Sequence, residues 1–118
     1  MAFDWSEYLD LAKVWAAGAL TEAVARSAVS RAYYAAYHHA LSYSETRLGH
    51  MRQGMADEHR WIRDKIEDSG RNNVADWLDK LRQHRNKCDY QDEVRDLETC
   101  MLPDALDLAE AVISSLIV

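Results

Sequence analysis

The chain has 118 residues, enough for one domain whose single core buries roughly two-thirds of the unfolded surface. One Pro, four Gly and the lack of any sustained Val/Ile/Thr alternation predict an all-α fold: an up-and-down bundle of four to five helices, one domain over residues 1–118. The net charge of −6 excludes a protein that coats nucleic acid non-specifically, because such binding rests on Lys and Arg neutralising phosphates.

The first helix has an explicit start. Asp4 is placed to cap it, Glu7 three residues later to reach back to the free amide, and Phe3 to staple onto Tyr8. The helix should run to about Ala17 on a stripe of Tyr8, Leu11, Ala12 and Trp15, with Gly18 ending it. A second helix is expected from Leu20 or Thr21 to about Ser44, and its many alanines let neighbours approach closely, which marks it as central. Its stripe Val24, Ala28, Arg31, Ala35 and His38 sets a charge in register with core positions, so Arg31 requires an acceptor. Tyr33, Tyr34, Tyr37 and Tyr43 point around most of this helix, as side chains that fill a bundle do.

Glu45 to Ala56 reads as a long polar connection and the best candidate for a mobile flap. A third helix follows from Asp57, its cap, to about Asp68, with His59, Ile62 and Ile66 on one face and Ser69-Gly70 closing it. The fourth begins with Asn72 or Asn73 as cap. On it Val74, Leu78, Leu81, Arg85 and Cys88 recur at steps of four and three, so Arg85 faces inward or toward a partner and calls for a carboxylate, carbonyls or a bound phosphate opposite. Architectural pairing, with Asp89 for Arg85 or Asp10 for Arg31, is the competing account. The last helix should have its main part from near Thr99 to about Ile117, with Pro103 in its first turn; a single helix from Glu93 kinked at Pro103 is the alternative.

Four scattered glycines cannot form a nucleotide-binding loop. Two cysteines in no metal-like spacing, and no signal-peptide pattern, predict a reducing cytoplasmic setting with neither a metal nor another cofactor; no stretch is apolar enough to span a membrane. The charge is uneven: Arg47 to Lys87 carries +3 and the rest −9, which directs any anion-binding surface to the third and fourth helices.

Arg, His and Tyr in a helical bundle are the remaining chemistry. Metal-independent RNA cleavage needs a base for the ribose 2′ proton, an acid for the leaving oxygen and a cation on the phosphate, which Arg with His can supply. Arg31 and His38 lie seven apart on one face, although a core or interface histidine bonded to a tyrosine or carbonyl is the favoured account of His38.

Asp4-Trp5-Ser-Glu-Tyr8, then Arg26-Ser-Ala-Val-Ser-Arg31-Ala-Tyr-Tyr34, His59, and Leu81-Arg-Gln-His-Arg85-Asn-Lys-Cys-Asp89-Tyr90 together resemble the HEPN domain (higher eukaryotes and prokaryotes nucleotide-binding) over nearly the whole chain. The resemblance implies a homodimer, often of prokaryotic toxin–antitoxin or defence systems beside a nucleotidyltransferase partner. Active members of that family are metal-independent ribonucleases with an Arg followed, four to six residues on, by His, and often with Asn directly after the Arg. Arg85 and Asn86 match the first part, whereas Tyr90, Gln91 and Asp92 occupy the positions of the His. Arg31 with His38 and Arg52 with His59 fit the spacing away from the end of the fourth helix. The expectation is therefore a binding module for nucleotide, RNA or a partner protein using Arg85, Asn86, Tyr90 and Arg31. The alternative is a non-standard endoribonuclease in which Arg85 works with His59 or His38, or with His84.

Overall fold

The computed structural model describes residues 2–117, which form α1 (Glu7–Ala17), α2 (Glu22–Arg47), α3 (Glu58–Asp68), α4 (Asn72–Tyr90), a π-helical turn (Leu97–Met101) and α5 (Leu102–Ser115). There is no strand among the described residues, and no helix among them is long and apolar enough to cross a membrane. The fold is all-α, as expected. α2 is the central helix: it packs against α1, α3, α4 and α5, and Ala25, Ala28, Ala32, Ala35, Ala36 and Ala40 along it are fully buried, so their small side chains set the close approach.

Local signals hold in outline and shift in detail. Asp4 does not form the expected capping box; its Oδ1 instead accepts from the Ser6 amide at 3.0 Å and the Ser6 hydroxyl at 2.7 Å, an Asx-type turn that leads the chain into α1. The rings of Phe3 and Tyr8 lie 5.3 Å apart, so the staple forms. Leu9 and Ala12 are the buried residues of α1, whereas Leu11 faces outward at 37% exposure, because α1 rests on α2 slightly rotated from the expected stripe. Thr21 caps α2 through the Val24 amide at 3.2 Å. That helix continues one turn past Ser44, and Tyr33, Tyr37 and Tyr43 are buried by the chain's own helices.

Asp57 makes no cap bond, and α4 begins at Asn72 with Arg71 in the cap position and no side-chain cap. Gly70 stops α3 with φ of 93°, a backbone region that glycine adopts without strain. Ile62, Ile66, Val74 and Leu81 are fully buried where α3 and α4 meet the core. At the last helix Pro103 stands where the first reading put it, and no helix starts at Glu93. Winding starts at Leu97 as a π turn led in by Asp96 in the left-handed region (φ 52°), and Pro103 then sits in the first turn of α5, which ends at Ser115 rather than Ile117.

The expected flap is instead clamped. Buried Glu58 accepts from His50 Nε2 at 2.8 Å, the Gln53 amide at 2.7 Å and the Gly54 amide at 3.1 Å, and the His50 amide reaches the Ser44 carbonyl at 3.0 Å. A carboxylate inside a loop satisfies the loop's own donors, which is why this polar segment closes on itself.

Candidate functional site

Arg85 lies on the inward stripe of α4 with its side chain 14% exposed, among the buried Leu78, Leu81 and Cys88. Its guanidinium carbon sits 5.1 Å from the Tyr33 ring centre and 5.5 Å from that of Tyr34. Its polar partners are few and long. Nη1 donates to the Tyr34 hydroxyl at 3.5 Å, the nearest carboxylate oxygen, Asp89 Oδ2, is 3.8 Å away, and Nε is buried with no partner. Asp89 is therefore the neighbour foreseen for it, yet 3.8 Å is too long for a hydrogen bond.

Other arginines are better supplied. Arg26 donates to the carbonyls of Cys88, Gln91 and Asp92, closing the end of α4 where backbone acceptors are left over. Arg82 meets Asp79 at 2.8 Å, and Arg63 approaches the same carboxylate at 3.6 Å. Arg31 resembles Arg85: it lies 4.8 Å over the Tyr8 ring with no carboxylate within 4 Å among the described residues, so the pairing with Asp10 is not made. Arg31 and Asp89 line one open groove of about 420 Å³ with Ser27 and Ser30, between α2 and the end of α4.

Behind Arg85 lies a stack of rings that the sequence had shown only as bundle filling. The Tyr33 hydroxyl is hydrogen-bonded to His59 Nδ1, His59 stacks on Tyr37 at 3.8 Å, and Trp5 covers His38 at 3.5 Å, nearly parallel. Tyr33 therefore touches Arg85 with its ring face and His59 with its hydroxyl, joining α2, α3 and α4. Burial, then the nearby guanidinium groups of Arg85 and Arg63, hold the His59 imidazole down at about 4, so it is neutral at pH 7. Burial keeps the Tyr33 hydroxyl protonated far above its usual range and pushes Tyr37 up to about 12. With both partners neutral, the Tyr33–His59 bond has two forms. A tyrosine donating to Nδ1 leaves Nε2 protonated; Nδ1–H donating to the tyrosine oxygen leaves Nε2 free as a base.

His38 is also held low, chiefly by burial, and its Nδ1 is buried without a partner; the ring is half-buried under Trp5. His84 is drawn to Asp104, with Nε2 2.8 Å from Oδ2, on the side of α4 that meets α5. The Cys88 thiol, pushed up to about 11 by burial, lies against the sulfur of Met101. Among the described residues no three His, Cys, Asp or Glu side chains form a metal-ligating group. Asn86 is half-buried beside Arg85, and Tyr90 stands 77% exposed at the end of α4.

Of the residues singled out in the sequence, then, Arg85 and His59 are joined through Tyr33, and Arg31 borders the adjoining groove. His38 lies beside Tyr37 under Trp5, half-buried, and Tyr90 reaches out to solvent. The candidate surface draws on α2 as well as on α4, and on α3 and α4 Arg63 and Arg82 share Asp79. Arg26 and Ser30 lay inside the HEPN-like block of α2 without being singled out, and Asp89 was foreseen only as a partner of Arg85; their proximity arises where α2 crosses the end of α4.

Comparison with protein-family models, with curated proteins and with solved structures returns no match to this chain.

Proposed function

We propose that this chain is a HEPN-like binding module that takes a phosphate of a nucleotide or RNA at Arg85, without the Arg–His ribonuclease motif at the end of α4. The observation that carries this reading is the under-supplied guanidinium: mostly buried, with its Nε unpartnered and its one carboxylate at 3.8 Å. A half-desolvated cation in that state gains more from an incoming anion than one already saturated by carbonyls, as Arg26 is. Asn86 offers an amide beside the phosphate, Arg31 a second cation, and the exposed Tyr90 ring a face on which a base can stack. The family resemblance adds a homodimer acting in the cytoplasm and a nucleotidyltransferase partner of a toxin–antitoxin or defence system; a nucleotidyltransferase gene next to this one would support that part.

The test is a protein-observed magnetic resonance titration with AMP and with short single-stranded RNA in EDTA. Shifts at Asn86 and Tyr34 that vanish in Arg85→Ala are expected. A wild-type spectrum unmoved by either ligand refutes the reading.

One observation favours a second reading, a metal-independent endoribonuclease: Tyr33 links Arg85 directly to His59. There Arg85 would hold the phosphate and His59 Nε2 would exchange the proton. RNA cleavage in EDTA that is lost in both Arg85→Ala and His59→Ala would establish it over simple binding. Cleavage that survives His59→Ala rules it out.

A further inference from the structure

The groove beside Arg85 contains a carboxylate that an anion site would be expected to exclude. Asp89 lies one helical turn beyond Arg85, and its Oδ2 is 3.8 Å from Arg85 Nη1 and 3.5 Å from Ser30 Oγ. Both distances lie at or past the limit of a hydrogen bond, so the carboxylate has acceptor capacity left over. With its side chain about one-third exposed, Asp89 lines the groove of about 420 Å³ with Ser27, Ser30 and Arg31, a size suited to a small organic ligand. A negative charge here repels every phosphate that reaches Arg85. A ligand that brings a donor next to its anion turns this carboxylate from a repelling neighbour into an acceptor.

A ribonucleotide does so: its 2′-hydroxyl is adjacent on the ring to the carbon carrying the 3′-phosphate, whereas deoxyribose has no such group. We propose that Asp89 is the specificity-determining residue of this site, accepting a hydrogen bond from the ribose 2′-hydroxyl of the nucleotide whose phosphate Arg85 holds, so that the module selects RNA over DNA. The inference rests on the phosphate-binding role proposed for Arg85. Guanidinium and carboxylate on one face of α4 form an adjacent cation and acceptor, the complement of an adjacent phosphate and hydroxyl. Ser30 lines the same groove, its hydroxyl 3.5 Å from the carboxylate.

The test measures binding of a labelled single-stranded RNA, the DNA of the same sequence and the 2′-O-methyl RNA to the full chain by fluorescence anisotropy. Wild-type protein should bind the RNA about tenfold or more tightly than the DNA, the scale of one hydrogen bond to a charged group, and should treat the 2′-O-methyl strand like the DNA. Asp89→Ala should bring the ratio close to one by weakening RNA binding and strengthening DNA binding, since the repulsion goes with the carboxylate. Asp89→Asn, nearly isosteric and still an acceptor, should keep part of the preference while also binding DNA more tightly. Equal affinities for RNA and DNA in the wild type overturn the assignment and leave the phosphate site standing. An Asp89→Ala or Asp89→Asn protein that loses RNA and DNA binding in equal proportion overturns it too, because Asp89 then only props Arg85. If neither strand binds the wild-type protein, the phosphate site falls, and this assignment with it.

Discussion

Arg85 and Arg26 are both largely buried arginines, and they differ in what surrounds them. Arg26 holds three carbonyls at the end of α4, so Arg26→Ala leaves those acceptors without their donor and should cost about 1–3 kcal/mol, read as a lowered urea midpoint at unchanged slope. Arg85 has no close acceptor, and Arg85→Ala should cost about 1 kcal/mol or less, mainly its contact with the Tyr33 and Tyr34 rings. The reverse order would make Arg85 the architectural residue. His59 supplies a second local test. Because its folded value, about 4, lies below the ordinary 6.5, the unfolded chain binds more protons between those two pH values. The contribution of a neutral His59 is thus complete above about 6.5 and is lost as pH falls toward 4. Its partial contact with water keeps that contribution to about 1–2 kcal/mol. Melting temperature followed from pH 7 to 4 should fall less steeply in His59→Gln than in wild type. A phosphate bound at Arg85 offsets the guanidinium charge, so saturating AMP should move the His59 titration upward in proton spectra.

Between α2 and α3 the chain looks in sequence like a loose polar loop, yet Glu58 gathers its donors from inside. Burial alone would raise this carboxyl, but the Gln53 amide, His50 and the Gly54 amide more than offset it and hold it below the usual carboxylate range. The clamp is therefore fully present above about pH 4.5 and weakens as pH falls through the lower folded value. Glu58→Gln keeps the shape and removes the charge. It should cost about 1–3 kcal/mol and raise the amide exchange rates of Gln53 and Gly54 at pH 7, while those of α4 stay slow. An unchanged exchange pattern would mean that the loop is held by other contacts. The π turn at Leu97–Met101 is a different case: Pro103 explains why regular α-helix hydrogen bonding changes there, and nothing in the sequence selects the wider turn over a plain start at Thr99.

Taken as one body, the chain is acidic, and its proposed ligand meets only one or two cations. Binding of single-stranded RNA should therefore depend weakly on salt, with log K falling by about 0.7 per phosphate contact and a total slope between about −0.7 and −1.4. A slope several times steeper would require a broad basic surface, at odds with the net charge of −6. The all-α class, the order of the helices, the central place of α2 and the inward aim of Arg85 were legible from residue spacing, since helical periodicity and glycine or proline stops act within a few neighbouring residues. The hydrogen bond between Tyr33 and His59, the hold of Arg26 on the end of α4, the placing of Asp89 near Ser30 and the closing of the loop on Glu58 were decided only by the tertiary structure. Each depends on which turn of one helix or loop meets another, and that register is set by how large and small side chains interlock across the interface, which spacing along one strand of sequence does not encode.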